Sequence, residues 1–153
     1  MTLLHISDII SPINGKRGAT MIQTYENYLP MEKSLSLEDM VQLHKDMISE
    51  IGNDSDSLEL YEELVETATR YASFRAQWPI LSREEKQDKD SSRSSCHNSL
   101  IVKFNQLARY LKMQGKTATW RDVLGYEEDD KYYRKRIGDF GCYIVFINSI
   151  SSR

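Results

Sequence analysis

Hydrophobic side chains recur every three or four residues in four long segments of the chain, which predicts four amphipathic helices. We expect these helices over residues 36–51, 57–77, 95–113 and 129–148, with a short helix at 119–124. Only 7 glycines and 3 prolines interrupt the sequence, so the stretches between helix breakers are long. The pattern predicts an all-α helical bundle, preceded by a short irregular or hairpin N-terminal arm.

Residues that start and stop helices support these boundaries. Ser36 has the position of an N-cap, and Gly52 supplies a stop signal after the first helix. Asp56 is predicted to open the second helix, and Pro79 to end it, because the residue before a proline avoids helical geometry. The five-residue link between the two helices predicts an antiparallel hairpin.

The distribution of polar residues suggests an organisation within one compact domain. We expect an arm over residues 1–35, a helical hairpin over 36–80 and a three-helix C-terminal module over 91–150. Residues 81–90 carry no apolar stripe and are predicted to form a polar linker.

The last helix is predicted to be the most buried element of the bundle. Its C-terminal half, residues 142–146, is apolar nearly all round, which is typical of a central helix or a subunit contact. We expect one core cluster, formed by Phe104, Leu107, Trp120, Ile137, Phe140 and Ile144. The apolar run also suggests self-association, because it offers more apolar surface than one small bundle easily hides.

The charge is distributed unevenly along the 153 residues, although the net charge is only −3. Residues 1–90 carry 9 Lys and Arg against 17 Asp and Glu, a net charge of −8, whereas residues 91–153 carry 11 against 6, a net charge of +5. Such asymmetry can mark a surface that binds nucleic acid. Two cysteines and the absence of a membrane-length apolar run lead us to expect a cytoplasmic protein that does not bind membranes.

The C-terminal elements follow the order of a helix-turn-helix, with turns at Gly115 and Gly125. Such proteins place the N-terminal residues of a recognition helix against the DNA major groove. Here these positions hold side chains that can reach phosphates and base edges, namely Lys131, Tyr132, Arg134, Lys135 and Arg136. Four carboxylates at residues 127–130 oppose this interpretation, because they repel phosphates at the same place. Nucleic-acid binding is therefore an alternative function.

Two acidic motifs support a second alternative. Glu62, Glu63 and Glu66 form the pattern E-E-x-x-E, and Glu85 and Asp88 form E-x-x-D. The pattern resembles all-α nucleotide pyrophosphohydrolases of the MazG type over about 27 residues. The resemblance implies that acids from two helices hold magnesium against a nucleotide diphosphate group. Magnesium prefers oxygen ligands, and acids spaced by three or four residues share one helix face.

A histidine metal site and a catalytic cysteine have weaker support from the residue pattern. The histidines His5, His44 and His97 are far apart and lack the spacing of a zinc or di-iron site. Cys96 and His97 are adjacent, so on a helix their side chains point in different directions. We therefore predict no catalytic residues and no cofactor.

The C-terminal 91–150 region also carries a resemblance. It is similar to a module of small uncharacterised bacterial proteins, through the strings CHNS at 96–99, LARYL at 107–111, WRDVLG at 120–125 and RIGDF at 136–140. The resemblance implies no mechanism. Gly138 and Gly141 are expected to let another helix approach closely. The leading prediction is a non-enzymatic helical interaction module that binds a protein partner or a second copy of itself.

Overall fold

The computed structural model describes residues 34–128 and 130–151, so nearly all of the predicted N-terminal arm lies outside the described residues. Within these ranges the chain forms five α-helices, one short 3-10 turn and no strand. The all-α prediction is confirmed. The helices are α1 (Leu37–Ile51), α2 (Ser55–Gln77), α3 (Arg83–Met113), α4 (Thr119–Leu124) and α5 (Tyr133–Ser151), and the 3-10 turn (Trp78–Ile80) joins α2 to α3.

The first helix begins and ends where the sequence predicts. The Ser36 side chain accepts a hydrogen bond from the backbone N–H of Asp39 at 3.0 Å, which satisfies one free donor of the first turn. Gly52 ends the helix with a positive φ of 54°. Leu37 and Ile48 share the apolar periodicity of this helix but are 52% and 41% exposed. The buried stripe is centred on Met40, Leu43, Met47 and Ile51.

The boundary between α2 and α3 differs most from the prediction. Asp54, and not Asp56, is the N-cap of α2. Helix α3 begins at Arg83, about twelve residues before the predicted start, so residues 83–90 are its first turns and not a linker. The cause is a capping box, in which the Ser82 hydroxyl accepts from the Glu85 N–H at 3.1 Å and the Glu85 carboxylate accepts from the Ser82 N–H at 2.9 Å.

All five helices contribute to one hydrophobic core. Helix α2 packs most extensively against α3 and α5, whereas α1 packs on α4 and α5 and meets α2 where Nε2 of His44 lies 2.9 Å from the Tyr61 hydroxyl. The division into a hairpin over 36–80 and a module over 91–150 stays a prediction. The six predicted core residues all belong to this cluster and are at most 1% exposed, which confirms the core prediction for Phe104, Leu107, Trp120, Ile137, Phe140 and Ile144.

Helix α5 runs through the centre of the bundle. Cys142, Tyr143 and Val145 are buried and Phe146 is half-buried, so the bundle covers most of the run that we expected to drive self-association. Close packing uses the two glycines as predicted. A Cβ added to Gly138 would lie 2.8 Å from the Tyr71 hydroxyl of α2, and one added to Gly141 would lie 2.8 Å from Leu100 of α3.

Among the helices of the described ranges, none combines the length and the apolar character that crossing a membrane requires.

Candidate functional site

The predicted recognition helix starts later than its sequence suggests. Lys131 and Tyr132 lie in the turn before α5, whose first residue is Tyr133. The Asp130 carboxylate holds this turn by accepting a hydrogen bond from the Tyr132 N–H at 2.7 Å. Tyr132 is 53% exposed, and the Lys131 ammonium lies 5.1 Å from the centroid of its ring. Both side chains therefore remain available to a ligand, although not from a helix.

The predicted binding residues point in two opposite directions on α5. Positions 134 and 136 are about 200° apart around an α-helix. The Arg136 guanidinium forms an ion pair with Asp130 and donates to the Leu124 carbonyl at 3.4 Å, and only 20% of its side chain is exposed. Arg136 thus holds the turn between α4 and α5. Its predicted role in reading nucleic acid is not supported by this geometry.

Arg134 lies on the other side of α5, against α3. Its guanidinium donates to the Asn98 side-chain oxygen at 2.8 Å. Its backbone carbonyl accepts a hydrogen bond from Nε2 of His97 at 2.9 Å. Lys135 follows it and is exposed. The predicted cationic residues that face solvent are therefore Lys131, Lys135 and, in part, Arg134.

Two further arginines, from α2 and α3, come close to His97. Arg75 donates to the Tyr71 hydroxyl at 3.0 Å, and the Tyr71 ring lies 4.8 Å from the His97 ring, centroid to centroid. The Arg93 guanidinium stacks over Trp78 at 4.4 Å from the ring centroid. Arg75, Arg93, Arg134 and His97 are called the His97 cluster below. Three helices, α2, α3 and α5, thus bring three guanidinium groups around one imidazole.

The electrostatic effect of this cluster falls on His97. Burial lowers the pKa of His97 most, and the positive charges of Arg134, Arg75 and Arg93 lower it further, while the hydrogen bond to the Arg134 carbonyl acts in the opposite direction. Two carboxylates offset part of the charge. Asp139 is buried and contacts Arg75 at 3.4 Å, and Asp90 contacts Arg93 at 3.1 Å. Among the described residues, the cluster thus has three guanidinium groups against two carboxylates.

The sequence offered two signals for the missed arginines. Tyr71 and Arg75, like Arg93 and His97, are four residues apart and therefore share a helix face. The second pair was hidden because the helix was predicted to start near residue 95. No spacing along the chain indicates that α2, α3 and α5 meet at these two pairs.

The five acids of the predicted magnesium site do not come together. Glu63 pairs with Lys103 at 2.8 Å and Glu66 with Arg70 at 3.2 Å, while Glu85 serves the capping box of α3. Glu62 is half-buried on α2 and Asp88 is exposed near the start of α3. Among the described residues, no group of three or more histidine, cysteine or acidic side chains could hold a metal ion. The geometry of a two-helix magnesium site is therefore missing from this part of the chain.

The burial of the thiols and the hydrogen bonds of the described histidines belong to the packing of the bundle. Burial raises the pKa of the half-buried Cys96 thiol, which disfavours the reactive thiolate. His97 bonds to a backbone carbonyl, as described, and not to Cys96. Nε2 of His44 lies 2.9 Å from the Tyr61 hydroxyl. His5 falls outside the described residues.

A serine-rich face of α3 includes Asn98, which accepts a hydrogen bond from Arg134 of the His97 cluster. It forms a shallow hollow of about 510 Å³, lined by Ser91, Ser94, Ser95, Asn98, Ser99, Val102 and Lys103. The described lining comes from one helix alone and so does not enclose a small molecule. Asn98, which accepts from Arg134, connects this face to the cluster.

Fold and site together define a small all-α protein with a cationic cluster between three helices. No protein-family model matches the chain, and neither a curated protein nor a solved structure gives a significant match.

Proposed function

We propose that this protein acts by binding, as a helical interaction module, and that its partner is a nucleic acid that contacts the cationic end of the bundle. The observation that supports this proposal is that α2, α3 and α5 bring Arg75, Arg93 and Arg134 close to His97: Arg75 bonds to Tyr71, whose ring packs on His97, Arg93 lies one turn before His97, and the Arg134 carbonyl accepts from His97. Guanidinium groups recognise phosphate oxygens in a planar, bidentate manner, and several fixed in one place suit a phosphate-bearing ligand.

The surroundings of the cluster favour an extended ligand. Exposed Lys135 directly follows Arg134 and exposed Lys131 lies three residues before it, so both add positive charge to this end of α5. The half-exposed ring of Tyr132 offers a face on which a base can stack, as occurs in proteins that bind single strands. Arg136, whose guanidinium pairs with Asp130, lies about 200° away from Arg134 around α5. The proposed contact face thus differs from the face that a helix-turn-helix would use.

Fluorescence anisotropy with labelled single-stranded and duplex oligonucleotides tests this proposal. The test variant carries Arg134→Ala and Lys135→Ala. The matched control carries Arg109→Ala and Lys116→Ala, which remove the same charge from exposed positions near the other end of α3. We expect the wild-type affinity to fall steeply with salt, and the test variant to bind at least about tenfold more weakly, with a smaller salt slope.

Two results would contradict the proposal. One is no binding of either oligonucleotide at low salt. The other is an equal loss of affinity in the test and control variants, since this would indicate attraction by overall charge alone. Circular dichroism of both variants checks that the helices are retained.

A second candidate is self-association, which the exposed side of α1 favours. Leu37 and Ile48 are eleven residues apart, on the same side of the helix, and are 52% and 41% exposed. Light scattering over a range of protein concentrations measures the mass directly. If this face joins two copies, the variant Leu37→Ser with Ile48→Ser stays a monomer at concentrations where the wild type dimerises; a wild type that remains monomeric throughout excludes this candidate.

A further inference from the structure

The tautomer of His97 leaves one ring nitrogen available. Because a carbonyl oxygen can only accept, Nε2 of His97 must carry a hydrogen in its 2.9 Å contact with Arg134. In the neutral ring the lone pair is then on Nδ1. Among the described residues the hydrogen bond of this ring is the one from Nε2, and the half-buried ring lies 4.8 Å from that of Tyr71, whose hydroxyl accepts from Arg75. Nδ1 is therefore the position at which this imidazole can gain a proton.

The charges around the His97 ring determine whether Nδ1 gains a proton. The groups facing His97 are Tyr71 and Arg75 on α2, Arg93 on α3 and Arg134 on α5. Asp139 of α5 lies beyond Arg75 and partly offsets its charge. Burial and the three positive charges lower the pKa of His97 in the free protein. An anion among the guanidinium groups would oppose this repulsion and would offer an acceptor to Nδ1–H.

We infer that an anionic phosphate group bound at the His97 cluster is held by protonated His97 as well as by the arginines, with one proton taken up from solvent on binding. The proton adds to Nδ1 and is donated in a hydrogen bond to a phosphate oxygen, and no covalent bond of the ligand changes. This inference rests on the proposed function, because it requires that a phosphate-bearing ligand binds at this cluster.

Proton uptake by His97 and binding of the ligand are thermodynamically linked. If binding raises the pKa of His97, the complex holds more protons than the free protein, so affinity rises as pH falls. Between the pKa values of the free and bound states, one linked proton gives at most about a tenfold gain in affinity per pH unit. The pH dependence of the affinity disappears at pH values where His97 is neutral in both the free and the bound protein.

The experiment requires a probe whose own charge is constant. A labelled single-stranded oligonucleotide is suitable, because its phosphodiester groups do not titrate between about pH 5.5 and about pH 8, whereas phosphate monoesters do, with a pKa of about 6. Sulfate is the small probe of fixed charge. The test variant is His97→Gln, whose amide can still donate to the Arg134 carbonyl. The matched control is His44→Gln, at the other half-buried histidine.

We expect wild type and His44→Gln to bind the oligonucleotide more tightly as pH falls, and His97→Gln to have a flat profile. If His97→Gln does not fold, nuclear magnetic resonance of the His97 ring in the wild type gives the same answer, because sulfate should raise its titration midpoint. Binding that is independent of pH, or a His97 midpoint that sulfate leaves unchanged although it binds, overturns this inference and leaves the proposed function intact. A complete lack of binding overturns the proposed function itself.

Discussion

Glu50, near the end of α1, should stabilise the fold more than any exposed acid of the bundle. Its carboxylate accepts hydrogen bonds from the N–H and hydroxyl of Thr117 at 3.2 and 3.1 Å, the N–H of Ala118 at 3.1 Å and the indole N–H of Trp120 at 2.8 Å. These bonds join α1 to the segment that opens α4, nearly seventy residues later in the chain. They also hold Ala118 in a left-handed conformation, with φ at 48°, which side chains other than glycine rarely adopt.

The loss of stability expected on removing the Glu50 carboxylate depends on the hydrogen-bond donors that water cannot reach. Thr117 is exposed, so water replaces Glu50 there, but Ala118 and Trp120 are 0% and 1% exposed. A buried donor left without a partner costs about 1–3 kcal/mol, so Glu50→Ala should lower the free energy of unfolding by about 2–4 kcal/mol. Glu50→Gln keeps one acceptor oxygen and should lose about 1–2 kcal/mol.

Urea unfolding followed by circular dichroism measures these differences. Glu66→Ala is the matched control, because its carboxylate pairs with Arg70 across an exposed turn of α2 and should contribute about 0.5 kcal/mol or less. If Glu50→Ala costs no more than Glu66→Ala, the four contacts do not stabilise the α4 segment and the reasoning is wrong.

Two further predictions concern the core and pH. Phe140 is fully buried against Phe104, with ring centroids 5.7 Å apart, so Phe140→Ala should cost about 3–5 kcal/mol in a urea titration, and an unchanged midpoint would contradict its burial. Burial lowers the pKa of both His44 and His97 below 6.5, so the unfolded chain binds protons more readily and stability should fall as pH drops through 6.5. Urea midpoints at about pH 7.5 and about pH 5.5 test this, and in His44→Gln the difference should shrink; a wild type equally stable at both contradicts it.

Local signals predicted the helices and the core because both depend on neighbouring residues. The Ser36 cap, Gly52 and Pro79 act within one turn of the chain, and they mark real helix ends in the structure. The apolar stripe of α3 and that of α5 contain the side chains that meet in the core, so Phe104 and Phe140 could be placed together before their helices were seen to touch.

The start of α3 could not be derived from the apolar pattern because its first turns bury almost nothing. Residues 83–90 have no stripe, and the helix there is stabilised by the Ser82–Glu85 capping box and by its continuity with the packed part of α3. The pattern detects a helix by its buried face, so a helix that extends into solvent resembles a linker.

The candidate site was missed for a related reason. A helix that began at residue 95 would leave Arg93 outside it, whereas the continuous α3 places Arg93 one turn before His97 on the same face. Arg75 reaches the same place only because Gly138 lets α2 approach α5 so closely that a Cβ there would lie 3.2 Å from its guanidinium. The core of the bundle thus determines where the arginines lie, although none of them belongs to it. The buried carboxylate of Asp139 forms an ion pair with Arg75. It also accepts two hydrogen bonds, at 3.3 and 2.8 Å, from the N–H and hydroxyl of Ser34, where the described chain begins. Asp139 pairs with Arg75 and Asp90 pairs with Arg93, so two carboxylates of the described chain lie against three guanidinium groups, to which a ligand that brings negative charge would add.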